Sequence, residues 1–569
     1  MPAEGAGVPA EMQKAWRICV VAGLAAITPI TATAQIPSSD LPGRERDRFE
    51  EQQLPLAKPA GPKIILQGTI APQGADAIEL VVTEVRFVGA TVYDPETLST
   101  LDVGIVGRSV PLVAVYALAQ EITAKYGNDG YVLSRAIVPP QELDPAGAVV
   151  TIEVVEGYVD SVVWPPSLAG YRDFFTGYGA TITAERPTNI NTVMRALLLA
   201  GDLPGIDVSS RFEASATNPN ASTLVVEATE KPFDAEARID NRGTVARGPW
   251  EFLVSRTANN LLRHHEAITL TYAGALETRE LQYVALGYRQ VLTSEGVALL
   301  ANGKYSWGRP GTEPLELLEF DSHSFAADAG LSLPVIRSRE QNVTLAALGF
   351  FSDDQGDILA APNSLDRLRG FRLKADFDSA DERGTNQLNA VFSQGIEGLG
   401  STANDNPLAS RENGRVDFTK IEATISRVEA LNEVVSVRAA AYGQFAATPL
   451  LAPEECGYGG KDFGRAFDPS EISGDSCWAV SGKVRFALPP TPGPLFQSSE
   501  LYAFVDFGAV YRIAPAAGTP EHEDASSAGF GLRLGRAGDR FSADLSAVKP
   551  LHGRDDDSWR TFLSATARY

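Results

Sequence analysis

The sequence predicts a mainly β protein, in which a C-terminal 16-stranded transmembrane β-barrel follows two small α/β domains. Three observations lead to this prediction. An apolar segment with a cleavage site opens the chain, about sixteen short alternating segments fill its second half, and the last residue, Tyr569, is aromatic. A soluble array of β-sandwiches would leave these three features unexplained together.

Residues 1–34 have the pattern of a secretory signal peptide. The basic residues Lys14 and Arg17 precede the apolar run 18–27, and the small residues 32–34 offer a cleavage site. After this segment no stretch reaches the ~18–20 apolar residues that a membrane helix needs. The sequence therefore predicts an exported protein that is either periplasmic or a membrane β-barrel.

Composition excludes several functions. The formal net charge of −23 opposes binding to the phosphates of nucleic acids. The 5 histidines and 3 cysteines form no cluster with metal-ligand spacing, so we predict neither a metal nor a cofactor. Carboxylate neighbours such as 555–557 are unavoidable among 72 acidic residues, and no Ser/His/Asp set accompanies them. We predict no catalytic residues and no enzyme activity.

Two cysteines, Cys456 and Cys477, remain after the signal peptide, and they flank a long polar loop. An oxidising compartment makes them candidates for a disulfide. The alternative, two unpaired thiols at an accidental spacing, stays open at this point.

Residues 35–75 are predicted to form a polar helix and a Pro-rich linker. The segment 44–53 lacks an apolar stripe, so as a helix it would need water or polar walls around it. Pro55, Pro59 and Pro62 then favour an extended chain. A solvated linker without helix is the alternative.

The two α/β domains are predicted over residues 76–157 and 158–231. In the first, a strand ends at Gly89, apolar residues at helical spacing follow Pro111, and an alternating strand runs through "AVVTIEVVEGYV". The second has the strand "VDSVVW", the helix "NINTVMRALLLAG" and the strand "STLVVEATE". Two successive modules of similar size indicate a structural repeat.

Residues 232–569 are predicted to be the barrel. In the strand "LYAFVDFGAVYR", alternation directs Ala503, Val505, Phe507 and Ala509 to lipid. The opposite parity, that of Asp506, faces the lumen. In the last strand Leu563, Ala565, Ala567 and Tyr569 are predicted to face outward.

These segments resemble the haemolysin secretion/activation proteins, the outer-membrane transporters of two-partner secretion. The run from "VRFVGA" to "VVEGYV" is similar to the first POTRA domain of that family, and "IDNRGTVARGPWE" to its first barrel strand and turn. "YGGKDFGRAFDPSEISGD" resembles the family's signature loop between barrel strands eleven and twelve. The resemblance implies a sixteen-stranded barrel in the outer membrane with POTRA domains in the periplasm. It also implies that residues 36–53 can plug the lumen.

The signature loop supplies the candidate site. In the family it folds back into the lumen, and its tip Arg meets a carboxylate on the inner wall. The matching residues here are Gly464, Arg465 and Phe467 at the tip, and Phe504, Asp506 and Gly508 on the wall. A desolvated guanidinium needs a fixed planar acceptor, which a carboxylate provides with two hydrogen bonds.

Three features depart from the family pattern. Ala466 replaces the usual Gly, so we expect a left-handed backbone there to be strained. Arg485 stands near a place where the family often has Glu. The segment "LRGF" around Arg369 matches the tip motif better by letter, but it lies about strand eight of sixteen and continues as a strand. We therefore favour Arg465 as the tip residue.

The resemblance implies a transporter that recognises a secreted exoprotein, large and β-helical, through its POTRA domains and moves it to the cell surface. Its further partners would be outer-membrane lipid and the barrel assembly machinery that inserts it, with no nucleic acid. An assembly factor for other barrels is the alternative, although such factors usually have more POTRA domains. A passive porin would need none.

Overall fold

The computed structural model describes residues 36–49, 55–58, 70–489, 497–536 and 540–569. The predicted signal peptide lies outside these residues. No helix in the described part of the chain is both long and apolar enough to cross a membrane.

The first small domain is a mixed four-stranded sheet with two helices. Its strands are β1 (Glu79–Val88), β2 (Arg108–Pro111), β3 (Arg135–Ile137) and β4 (Ala148–Val155), in the order β2-β1-β4-β3. Its helices are α1 (Pro95–Ser99) and α2 (Leu112–Asn128). The apolar face of α2, with Leu118 and Ile122, packs on Val150 and Ile152 of β4, and all four side chains are buried. Helical and strand periodicity thus meet in one core.

The second small domain repeats this plan with three strands. They are β5 (Tyr158–Val163), β6 (Ile206–Ala214) and β7 (Ala221–Glu230), in the order β5-β7-β6. Its helices are α3 (Arg172–Ala184) and α4 (Ile190–Gly201). Helix α3, which the sequence did not predict, buries Phe175, Tyr178 and Ile182 against the sheet. This packing stabilises a helix whose glycines and β-branched residues have low intrinsic propensity.

Sixteen antiparallel strands form a closed barrel. They are β8 (Phe233–Asp240), β9 (Glu251–Asn259), β10 (Glu266–Ala275), β11 (Gln282–Val291), β12 (Ala298–Gly308), β13 (Asp321–Arg337), β14 (Gln341–Ile358), β15 (Ala361–Ala380), β16 (Gly384–Gly395), β17 (Thr419–Ala430), β18 (Val435–Ala446), β21 (Ser476–Leu488), β22 (Ser499–Tyr511), β23 (His522–Gly535), β24 (Phe541–His552) and β25 (Arg560–Arg568). Two short strands, β19 (Cys456–Tyr458) and β20 (Ile472–Gly474), lie in the loop after β18, and a helix, α5 (Glu313–Leu317), lies after β12. The last strand pairs with the first, from Ser564 opposite Asp240 to Arg568 opposite Glu236. The predicted fold class is confirmed.

Burial along the strands follows the predicted alternation. On β22, Tyr502, Phe504 and Asp506 are buried, whereas Phe507 is exposed. Ala509, predicted to face lipid, is instead buried. It keeps the outward parity, and the larger Trp478 stands directly opposite it on β21.

The N-terminal segment forms two short 3-10 helices, Ser38–Asp40 and Arg44–Arg48. Gly43, with φ of 88°, separates them in a left-handed conformation. The helix predicted over 44–53 is therefore a 3-10 turn in its first half, and its second half lies largely outside the described residues.

Candidate functional site

The loop between β18 and β21, the eleventh and twelfth barrel strands, folds as a hairpin. Its arms β19 and β20 pair from Cys456 opposite Gly474 to Tyr458 opposite Ile472. A disulfide joins Cys456 to Cys477, the second residue of β21, with the two Cα atoms 6.3 Å apart. The base of the hairpin is thus fixed to the barrel wall.

The hairpin tip places Arg465 against Asp506 of β22. The Arg465 Nε donates to Asp506 Oδ2 at 3.0 Å, and its Nη2 donates to Oδ1 at 2.6 Å. The backbone N–H of Arg465 adds a third hydrogen bond to Oδ2 at 3.1 Å, and Ser481 Oγ accepts from Nη2 at 2.7 Å. Arg465 is 7% exposed and Asp506 is 0% exposed. Both oxygens of this buried carboxylate therefore accept hydrogen bonds from charged or polar donors, which offset its desolvation.

The other motif residues shape the space around this pair. Phe504 lies under the guanidinium, with the Arg465 Cζ 3.5 Å from its ring centroid. A Cβ on Gly508 would lie 2.3 Å from the Tyr458 ring, so only glycine leaves room for that ring. Tyr458 in turn packs on Phe467, with ring centroids 5.6 Å apart. The pattern Phe-x-Asp-x-Gly therefore supplies a stacking surface, an acceptor and a gap.

The strain expected at Ala466 does not occur. Gly464 takes the left-handed conformation, with φ of 66°, whereas Ala466 does not have a positive φ. The Ala466 methyl is fully buried, and its carbonyl oxygen accepts from Arg560 Nη1 at 2.7 Å. Since the left-handed position is one residue earlier, alanine is compatible with the tip.

Three residues of the site were missed in the sequence. Ser481 accepts from Arg465, Tyr458 fills the gap at Gly508, and Arg560 holds the tip through Ala466 and, at 2.5 Å, Asp468. Arg560 has the lumenal parity predicted for the last strand, and this signal could have found it. Tyr458 carried no comparable signal because it lies in an irregular loop.

Arg369 stays within its own strand pair. Its Nη2 donates to Asp353 Oδ1 at 2.9 Å, and its Cζ lies 3.3 Å from the ring centroid of Phe351. Asp353 and Phe351 lie on the neighbouring strand β14, so these contacts hold Arg369 on its own part of the wall. The structure brings Arg465, and not Arg369, to Asp506.

The N-terminal segment reaches the same hairpin from inside the barrel. Arg44 Nη2 lies 2.6 Å from Glu455 Oε2, directly before Cys456, and both side chains are buried. Asp40 accepts from Thr244, and the fully buried Arg247 donates to the Asp40 carbonyl oxygen at 2.7 Å. The segment is therefore held to the lumen wall and to the hairpin by polar contacts.

The same hairpin base is tied to two other loops. Asp475 accepts from Arg411 Nη1 at 2.6 Å and from the backbone N–H groups of Leu450 and Ile513 at 2.5 and 2.6 Å. These contacts join the loops that follow β16, β18 and β22. In the part of the chain that the structure describes, no three His, Cys, Asp or Glu side chains are grouped to hold a metal ion.

Comparison with known proteins identifies the family. The model of the haemolysin secretion/activation proteins ShlB/FhaC/HecB matches residues 220–534. The chain belongs to this family. The model of the ShlB-type POTRA domain matches residues 80–157, so the first small domain is a POTRA domain.

Curated relatives extend the likeness to most of the chain. Heme/hemopexin transporter protein HuxB of Haemophilus influenzae is 21% identical over 528 residues, which cover 90% of this chain and 91% of that protein. Outer membrane transporter CdiB of Dickeya dadantii is 20% identical over 410 residues, 69% of this chain and 70% of that protein. The chain is an outer-membrane transporter of two-partner secretion with periplasmic POTRA domains, and its partner is a secreted exoprotein. This membership favours secretion over barrel assembly.

Solved structures share the fold. CdiB from Escherichia coli has a TM-score of 0.66 at 18% identity, and CdiB from Acinetobacter baumannii has 0.58 at 15%. Each alignment covers 100% of both chains. These structures confirm the predicted fold class, and the family models and curated relatives confirm the predicted family and outer-membrane location.

Proposed function

We propose that this transporter receives a large, β-helical exoprotein as an extended chain and moves it through the barrel lumen. In this proposal both small domains, residues 76–157 and 158–231, act as POTRA domains. The periplasm lacks ATP, so folding of the exoprotein outside the cell would supply the directionality. The barrel assembly machinery inserts the transporter, and no catalytic step by the chain is part of this function.

The observation that carries the proposal is the buried pair Arg465–Asp506. Three hydrogen bonds from one arginine fix the hairpin tip to a single place on the wall. Arg465 belongs to a loop and not to a strand, so the pair positions an element that can move while the barrel stays closed. Its role is to hold the hairpin in the transport-competent position.

Residues 36–53 act as the plug in this proposal. The described part of the segment is held by ion pairs and hydrogen bonds, such as Arg44–Glu455 at 2.6 Å, and by one apolar contact, in which the buried Phe49 packs on Tyr283. The polar contacts can be exchanged for water when the exoprotein enters. Because Arg44 contacts Glu455, displacement of the plug also removes a partner of the hairpin base.

The POTRA sheets offer open edges for an extended client. Strands β2 and β3 are the two edges of the first sheet, and β5 and β6 are those of the second. Unpaired backbone groups on such edges can bind another strand by main-chain hydrogen bonds. These edges support recognition of the client by added strands.

Deletion of residues 78–231 tests whether the POTRA domains recognise the exoprotein while the barrel inserts independently of them. We expect one large protein to disappear from the culture supernatant and to accumulate in the periplasm, while the shortened barrel still inserts and migrates heat-modifiably. The matched control is the intact chain expressed at the same level. Undiminished secretion by the shortened protein would refute recognition by the POTRA domains.

A further inference from the structure

A row of cations lines one wall of the lumen below the hairpin tip. Ser481 of β21 accepts a hydrogen bond from Arg465. Lys483 and Arg485 follow at every second position of the same strand, so their side chains lie on the same side as that of Ser481. Arg438 of β18 stands directly opposite Lys483 in the strand pairing. We call Arg438, Lys483 and Arg485 the basic stripe.

The basic stripe lies towards the periplasmic end of the barrel. The first barrel strand β8 begins where the POTRA-like sheets end, so β8 starts on the periplasmic side. Successive strands alternate in direction, and the twelfth, β21, therefore ends there. Lys483 and Arg485 lie in the second half of β21, between the periplasmic opening and the hairpin tip.

This arrangement costs stability. The Cβ atoms of directly opposite residues lie about 5 Å apart, and like charges placed so are destabilising. The chain carries a net charge of −23, so a cluster of cations does not follow from its composition. A stripe that costs stability and opposes the overall charge calls for a functional reason.

No side chain of the basic stripe forms an ion pair within the described residues, although Glu500 attracts Lys483 and Arg485 over a longer distance. The buried Nε of Arg485 has no hydrogen-bond partner in that part of the chain. Lys483 Nζ lies 3.6 Å from the ring centroid of Tyr502.

The nearby acids have other partners or are too distant. Asp506 pairs with Arg465, and Glu500 lies 3.4 Å from Arg533. Asp462 of the hairpin loop attracts Arg438 electrostatically, but the two side chains do not form an ion pair. The stripe therefore presents cation donors to the lumen.

We infer that the basic stripe binds an acidic, extended segment of the exoprotein in transit. This inference rests on the proposed passage through the lumen. Lys483 and Arg485 are two residues apart on one strand, so they are about 7 Å apart, which is also the spacing of alternate side chains in an extended partner. The preferred client segment thus has Asp or Glu at alternate positions.

Peptide binding to the full chain in nanodiscs tests the inference. The probe is a fluorescein-labelled peptide of alternating Thr and Glu, and the matched control replaces each Glu by Gln. By fluorescence anisotropy at low salt we expect the acidic peptide to bind and the neutral one not to bind. Binding should weaken as salt rises, because the contacts are ionic and solvent-accessible.

Variants assign the binding to the stripe. The triple variant Arg438→Gln, Lys483→Gln, Arg485→Gln should weaken binding of the acidic peptide by about tenfold or more. Arg485→Gln alone should also weaken binding of the acidic peptide measurably. This single variant replaces the triple variant in the test if the triple variant fails to insert into the membrane. Lys374→Gln removes one charge from the lumenal face of β15 and should leave binding unchanged.

Equal binding of both peptides, or normal binding by the charge variants, would overturn the inference. Tighter binding of the acidic peptide to the double variant Glu50→Gln, Glu51→Gln would also overturn it. That result would show that the basic stripe binds the chain's own N-terminal segment. The readout does not depend on secretion. If the variant lacking residues 78–231 secreted normally while the full chain still bound the acidic peptide, only the proposed function would be refuted.

Discussion

Asp506 is the residue on which the hairpin position depends. It accepts three hydrogen bonds from Arg465 and one from Ser527, and its side chain is fully buried. Removing one member of a buried ion pair leaves the other charge uncompensated, at a typical cost of about 3–5 kcal/mol. The barrel strands are built by their own backbone ladders, so this cost falls mainly on the hairpin.

We predict that Arg465→Ala and Asp506→Ala each reduce secretion sharply while the barrel still inserts. The double variant should secrete little less than either single variant, because each of the three variants removes the same Arg465–Asp506 interaction. Quantifying the exoprotein in the supernatant for all four chains completes the cycle.

Additive losses in that cycle would show that the two residues act separately. Arg369→Ala is the control because Arg369 is also a buried, paired arginine with a carboxylate and an aromatic neighbour. It does not contact the hairpin, so secretion should stay near the normal level.

Gly508→Ala should produce the same phenotype as Arg465→Ala. The added methyl group would overlap the Tyr458 ring at 2.3 Å and displace the first arm of the hairpin. Gly303→Ala is the matched control, since Gly303 lies in β12 with nothing within 4 Å of its added Cβ. Normal secretion by Gly508→Ala would contradict the packing assigned to Tyr458, and both variants can be compared in one secretion assay.

At the scale of the element, regular strands were predictable and irregular loops were not. Period-two alternation in "LYAFVDFGAVYR" gave the lumenal side of Asp506, because a barrel strand has one polar and one lipid face. The hairpin contacts of Tyr458 and Arg560 depend on how distant segments meet in space. Helix α3 was missed because Gly177 and Gly179 weaken the local signal, and packing of Phe175 and Ile182 overrides it.

The first POTRA domain contains an acid, Glu156, whose ionised form stabilises the folded domain. Burial raises the pKa of Glu156, but hydrogen bonds from the Thr91 hydroxyl, the backbone N–H groups of Val92 and Thr91 and the Tyr126 hydroxyl outweigh this and lower it. Tyr126 Oη donates to Glu156 Oε1 at 2.7 Å. A depressed folded pKa adds stability above the unfolded value, near 4.3, and this stability is lost as the pH falls through the folded pKa.

We predict that the first POTRA domain loses stability as the pH falls from about 5 through the lowered pKa of Glu156. Glu156→Gln should be less stable at pH 7 and should show a smaller loss over that interval. Hydrogen exchange of β4 amides in the full chain measures both effects. Glu153→Gln, an exposed change on β4, is the control, and equal pH dependence of the two variants would contradict the role of Glu156.

At the scale of the molecule, the N-terminal segment links the barrel wall to the hairpin. Asp40 contacts the β8–β9 loop, Glu45 accepts from Ser306 of β12 at 2.8 Å, and Arg44 contacts the hairpin base. Contacts on several sides of the lumen are those expected of a plug. In the proposed function, the N-terminal segment and the hairpin are the two elements that move, while the ring of strands stays closed.

Deletion of residues 36–53 should raise single-channel conductance in planar bilayers. The reason is that the segment fills part of the lumen with polar contacts and forms no barrel strand. Arg44→Ala, which removes the Glu455 contact alone, should produce more frequent openings of the same size. Unchanged conductance of the deletion variant would contradict a plug.

Cross-linking from inside the barrel tests passage through the lumen most directly. Thr269 of β10 faces the lumen, where its hydroxyl lies 2.8 Å from that of Thr257, and the next residue, Leu270, is exposed on the outer face. A photo-reactive residue at each position would be activated during secretion of the exoprotein. We predict adducts with the large secreted protein from position 269 and none from position 270. Adducts from position 270 alone, or from neither position during active secretion, would contradict transport through the barrel.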